Sequence, residues 1–190
     1  MTRRRRTTRQ LDLLDRLVAL MAEEGFSQFT LDDLAERLHC SKTTLYALAS
    51  SKQELVVEVV KQYFRSAASS VEARVAEVSD PSARVVAYLE AVADYLKPLS
   101  RRFMDDMLAF TPAAEVYKHN TAAAADRIRQ LIAEGIDAGA FRDVHAAFMA
   151  EMVAATMFEI QRGEVFERLD MTDSEAYAEL ASLVIHSLSA

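Results

Sequence analysis

Leu11, Leu14, Leu17, Val18 and Met21 recur at three- and four-residue intervals, the spacing that writes one apolar helix face. Gly25 follows as a helix stop. Thr30 opens a second helix, about Leu31–Leu38, with Asp33 at the capping-box position and Phe29 and Leu34 at the spacing of a hydrophobic staple. His39 and Cys40 interrupt it, and Ser41 caps a third short helix, about Lys42–Leu48. Ser51 with Glu54 reads as a further capping box, after which no Gly or Pro intervenes before about Val78. A helix of that extent would be about 39 Å long.

The same punctuation divides the remainder. Asp80-Pro81 is a cap followed by a first-turn proline, Pro98 ends or kinks the next helix, and Thr111-Pro112 repeats the restart. Gly139 closes a long helix, Gly163 closes another opened near Asp143, and Thr172 with Glu175 caps the last. The pattern predicts an all-α chain of about nine helices, with no strand and no internal repeat.

Composition narrows the class. The chain has 190 residues, 51% of them hydrophobic and 27% charged, enough for a packed core. Only 4 Gly and 3 Pro leave too few turn residues for a many-stranded sheet. One Cys excludes a disulfide scaffold and, with no apolar secretory segment, leads us to expect a cytoplasmic protein. No run approaches the roughly 18 apolar residues of a membrane span.

Charge is unevenly distributed. The net charge is -7, yet residues 1–10 hold five Arg and no acid, and residues 1–55 hold nine basic against eight acidic residues. The remainder holds 13 basic and 21 acidic residues, so only the N-terminal end suits a polyanion.

Two short helices joined by a tight turn, the second capped by Ser and carrying Lys, Thr and Tyr, form a helix-turn-helix pattern. Leu34, Ala35, Leu38 and Leu45 supply its packing. Lys42, Thr43, Thr44 and Tyr46 can donate to phosphate oxygens, and the Thr methyls can meet thymine methyls. Lys52, at the start of the long helix, adds an ammonium where free amides already favour a phosphate. Arg3, Arg4, Arg5 and Arg6 form an arm that can follow phosphates or enter a narrow minor groove.

The string Gly25-Phe26-x-x-x-Thr30-Leu31-x-x-Leu34-Ala35, followed by Ser41-x-x-Thr44-Leu45-Tyr46 and Lys52-x-Glu54-Leu55, resembles the DNA-binding region of the TetR family of bacterial regulators. The resemblance covers about the first 55 residues. It implies an all-α homodimer with a helix-turn-helix domain at 1–52 and an effector-binding and dimerisation body at 53–190, joined by the long Gln53–Val78 helix as a lever. It also implies phosphate contacts at Thr30, Tyr46 and Lys52 and recognition positions at Lys42, Thr43 and Thr44. The chain departs from the family pattern at three places. His39-Cys40 stands where Gly-Val is common, Leu48 where a DNA-contacting His is often found, and Ala49 where an aromatic is usual.

Phe103, Met104, Met107, Phe110 and Tyr117 fall on consecutive helices, and Tyr88, Tyr95, Asn120, Met149, Met152 and Thr156 can face the same space. They read either as ordinary core with Met as gap-filler or as an apolar effector pocket with a few polar groups. Phe148, Val153 and Ile160 on one helix, with Tyr177, Leu180, Leu183, Val184 and Leu188 on the next, make stripes wide enough for a core and a partner subunit. Glu115 and His119 lie four apart but lack a third convergent metal ligand, and Cys40 reads as a small apolar filler or as a redox-sensitive thiol. No Gly-rich phosphate loop or nucleophile elbow is present, so neither an enzyme nor a cofactor is expected.

The expected function is a transcriptional regulator, most simply a repressor, released from double-stranded operator DNA by a small, largely apolar effector. Two alternatives stand beside it. One is a constitutive or architectural DNA-binding dimer. The other is a helical small-molecule-binding protein with a vestigial DNA-binding end.

Overall fold

A computed structural model of the chain describes residues 7–141, 145–163 and 168–188. Among these residues the fold is all-helical, with nine helices and no strand. They are α1 (Thr8–Glu24), α2 (Leu31–Arg37), α3 (Lys42–Tyr46), α4 (Lys52–Ala76), α5 (Pro81–Leu96), α6 (Arg101–Ala109), α7 (Thr111–Asp137), α8 (Ala146–Arg162) and α9 (Asp173–Leu188). No helix among the described residues is long and apolar enough to cross a membrane.

Local chemistry explains most boundaries. Thr30 and Asp33 exchange both bonds of a capping box, as do Thr172 and Glu175 at the start of α9. In each box the carboxylate accepts an N–H from the cap, which holds it below its ordinary titration range. A third box, Thr7 with Gln10, starts α1 three residues before its apolar stripe. Asp80 caps α5 through the Ala83 amide, with Pro81 in the first turn.

Three boundaries differ from the expected ones. The third helix ends at Tyr46 rather than Leu48, because the Leu48 amide bonds back only three residues, to Leu45, and the last turn tightens. At α4 the box is shifted by one position. Ser51 accepts the Glu54 amide, but the Glu54 carboxylate takes the amide and hydroxyl of Ser50. The eighth helix opens at Ala146, capped by the imidazole of His145 accepting from the Phe148 amide.

The chain divides into two compact units, residues 1–65 with 99–116, and residues 66–98 with 117–190. The first unit therefore extends past residue 52 and takes in α6. Leu14, Leu17, Met21, Leu34, Leu45, Leu55 and Val60 form its buried core. Phe26 adds edge-to-face contacts with Phe103 (centroids 5.9 Å apart) and Phe110 (6.4 Å). In the second unit α9 packs mainly on α5 and also on α8, and Val85, Leu89, Ile128, Leu131, Met157, Ile160, Tyr177 and Val184 are buried.

Within the first unit, α6 is tied to the end of α1 by polar bonds as well as by rings. The Asp106 carboxylate accepts the amides of Phe26 (2.6 Å) and Ser27 (2.8 Å), and the Ser100 amide donates to the Ala22 carbonyl (2.8 Å). Partial burial pushes the Asp106 carboxyl upward, but these donors outweigh it and hold it below the usual carboxylate range.

Candidate nucleic-acid interface

The helix pair α2–α3 is held by a short set of contacts. Leu34, Ala35, Leu38 and Leu45 are all buried, so α3 is pinned by one side only and its other side faces outward. The turn between the helices is a Schellman motif. The Cys40 amide reaches the Ala35 carbonyl at 2.9 Å, and the His39 amide reaches Glu36 at 3.0 Å. That motif needs a left-handed residue, and His39 supplies it at φ 50°, where the family pattern has glycine. Half-buried Cys40 fills the following position.

The expected contact residues on and around α3 differ in exposure. Lys42 and Thr43 are exposed and Thr44 is half-buried, while the large Tyr46 side chain stands 52% exposed. Thr44 shares its hydroxyl with the capping Ser41 hydroxyl at 2.8 Å, so it is positioned by the cap itself. Thr30 lies exposed at the start of α2, its hydroxyl donating to Asp33. Lys52, in the first turn of α4, donates to the Ser27 carbonyl at 3.0 Å, and Ala49 is half-buried. Arg3, Arg4, Arg5 and Arg6 lie outside the described residues.

Several positioning residues were not singled out from the sequence. Gln10 donates to the Ala47 carbonyl (3.2 Å) and Arg16 to the Leu38 carbonyl (2.7 Å), so α1 holds the ends of both α2 and α3. Arg37 makes a two-point bond to Glu24 at 2.7 and 2.6 Å while lying over the Phe29 ring at 5.5 Å. Each is a polar residue reaching across many positions of sequence, and helical periodicity carries no signal for such reaches.

One contact bears directly on charge. The Lys42 ammonium meets the Asp32 carboxylate at 2.6 Å, which raises its proton affinity above the ordinary lysine range. Asp32 sits in the first turn of α2, where a carboxylate is favoured by the helix dipole. It also neutralises a cation that the sequence assigns to DNA.

The residues grouped as a pocket fall in different units. Phe103, Met104, Met107 and Phe110 belong to the first, and Tyr88, Tyr95, Tyr117, Asn120, Met149, Met152 and Thr156 to the second. Phe103 and Met107 are buried in the packing of α6. Tyr88 is buried, and desolvation raises its phenol above its ordinary range. Tyr117 is buried too and donates to Asp173 at 3.1 Å. Thr156 bonds the Met152 carbonyl one turn back.

Among the residues grouped as a dimer surface, Val153, Ile160, Tyr177, Leu180 and Val184 are buried within the chain's own second unit. Phe148 (61% exposed) and Leu183 (68%) face outward, and so does Met152 (50%), one turn along from Phe148. The side chain of Leu188 lies outside the described residues. Glu115 and His119 are both exposed, and no group of three metal-ligating side chains occurs among the described residues.

Residues 13–59 match the family model of the bacterial regulatory proteins of the tetR family. The chain is 54% identical over 44 residues to the HTH-type transcriptional regulator YvaF of Bacillus subtilis, a match spanning 23% of each protein. It is 26% identical over 159 residues to the HTH-type transcriptional activator FasR of Mycolicibacterium smegmatis, covering 80% of this chain and 73% of that one. Its fold superposes with a TM-score of 0.75 on a transcriptional regulator of Saccharomonospora viridis solved in complex with choline, at 17% identity over 96% of this chain and 98% of that chain. The matched segment holds the α2–α3 pair and the start of α4, and the all-helical fold continues through the rest. Over residues 13–59 the chain is similar to the bacterial regulatory proteins of the tetR family, and its fold is similar to those of solved regulators.

Proposed function

We propose that this regulator binds a near-palindromic operator as a homodimer, represses transcription by occupying it, and is released by a small, largely apolar effector. The observation that carries the reading is the outward side of α3, where Lys42, Thr43 and Tyr46 project from a helix anchored by buried Leu45. A two-fold dimer would set two such helices into successive major grooves about 34 Å apart. The exposure of Phe148 and Met152 on α8 and of Leu183 on α9 supports pairing with a second copy, since large apolar groups exposed to water favour being covered. The likeness to a regulator solved with choline supports a small-molecule effector. Coupling of about 1–3 kcal/mol is usual between such sites and is reciprocal, so operator DNA would weaken effector binding by the same factor.

The test is selection of bound duplexes from a random pool at about 150 mM salt, where nonspecific phosphate attraction is screened. A recovered palindrome is the expected result. No enrichment by folded, dimeric protein would overturn the reading in favour of a small-molecule-binding protein.

With the selected duplex in hand, the roles of individual residues separate. Tyr46→Ala and Lys52→Ala should weaken binding to all sequences alike. Lys42→Ala and Thr43→Ala should change preference between sequences by about 1–3 kcal/mol per lost base contact. Competition titrations with single-base variants of the operator check this, and equal losses on every duplex for all four variants would refute the division.

Asp32→Asn is expected to act in the opposite direction. It releases Lys42 and removes a carboxylate from the DNA-facing end of α2, so affinity for any duplex should rise a few-fold at low salt. Fluorescence anisotropy of a labelled duplex against salt measures it. Unchanged or weaker binding would show that the pair does not oppose DNA.

A further inference from the structure

The second unit contains an open groove of about 540 Å³ that none of the predicted pocket residues lines. Its walls are aliphatic: Val78 from the segment after α4, Val86 and Ala87 from α5, Val184 and Ile185 from α9. The Phe141 ring makes a further wall. That ring is admitted by Gly135 on α7, where an added Cβ would stand 2.1 Å from the ring edge. The size is that of a small-molecule site.

The polar groups of the groove define what it selects. Arg74 and Glu90 line it, and the Arg74 guanidinium is engaged on both terminal nitrogens, by Asp94 at 2.6 Å and by Glu90 at 3.3 Å. Asp94 is not among the lining residues but holds the Arg74 guanidinium, so the Arg74, Glu90 and Asp94 cluster at the groove wall carries a net charge of about -1. Ser82 also lines the groove, and its hydroxyl proton is given to Asp80, so its remaining capacity is as an acceptor. The acidic excess of residues 56–190 adds a field of the same sign.

We propose that the α4–α5–α9 groove binds an amphipathic amine, its apolar chain against the valines and Phe141 and its ammonium head beside Glu90, with Arg74 held by Asp94. The inference names a ligand class for the effector reading above and rests on that reading only for its consequence at DNA.

The test is calorimetric titration of the full-length protein with decylammonium, decanoate and 1-decanol, each below its aggregation concentration. Decylammonium should bind tighter than decanoate by at least about fivefold, the factor that a half-exposed ion pair supplies. The surface double variant Glu90→Gln/Asp94→Asn should reverse that order by freeing Arg74, while 1-decanol binding stays as it was. Val86→Trp, with its fold checked by circular dichroism, should block all three. Equal or tighter binding of decanoate to the parent protein would overturn the proposal, as would a preference that survives the double variant. If decylammonium binds with the expected preference yet leaves operator affinity unchanged, the groove assignment is upheld and the effector reading fails.

Discussion

Gly25→Ala is expected to destabilise the first unit by about 2–4 kcal/mol, and with it to lose operator binding. Gly25 closes α1 at φ 76° and ψ -169°, a backbone region essentially reserved for glycine. A methyl group there would also stand 2.7 Å from Asp106 Oδ2 and 2.8 Å from Arg102 Cγ. Asp106 is the carboxylate that holds the Phe26 and Ser27 amides, so the clash falls on the bonds that tie α6 to the end of α1. Backbone strain and loss of these charge-assisted bonds act together. Urea unfolding followed by circular dichroism measures the effect. An unchanged midpoint would show that neither the backbone region nor the carboxylate matters. Asp106→Ala should lose part of the same stability, and the two substitutions together should lose less than their sum, because they remove one shared interaction.

Phe103→Ala should cost about 3–5 kcal/mol, the range for emptying a buried aromatic position. Phe103 is buried on α6, set edge-on to Phe26 and tilted against Tyr63 at 6.4 Å, so its removal opens a cavity beside two rings. The sequence groups Phe103 with the effector pocket, and the two roles make different predictions. As a core residue of the first unit it should show a large stability loss on truncation, whereas Phe103→Leu should retain most stability and leave ligand preference unaltered. A leucine variant of near-parent stability with altered ligand preference would return Phe103 to the pocket.

The two substitutions also mark where local pattern stops being informative. That Gly25 ends α1 is legible from its place after an apolar stripe. That it must be glycine depends on Asp106, 81 positions along the chain, arriving beside it. The helix-turn-helix residues are legible for a related reason. Lys42, Thr43, Thr44 and Tyr46 lie within five consecutive positions, so a cap and one buried leucine suffice to place them together on one short helix.

The pattern of apolar spacing, caps and glycines determined that the described residues are all-helical, where most helices begin, and which short helix turns Lys42, Thr43 and Tyr46 outward. Those are properties of neighbours three or four positions apart, and helix geometry alone translates them into faces. Tertiary structure decided which face each stripe turns inward. Val153, Ile160, Tyr177 and Val184 are covered by the chain's own helices, while Phe148, Met152 and Leu183 are not. It also decided that Lys42 is held by Asp32 and that a groove opens between α4, α5 and α9, where Gly135 admits Phe141. Apolar residues read alike whether they face a core, a ligand or a second subunit, because burial rewards removal from water without regard to what does the covering.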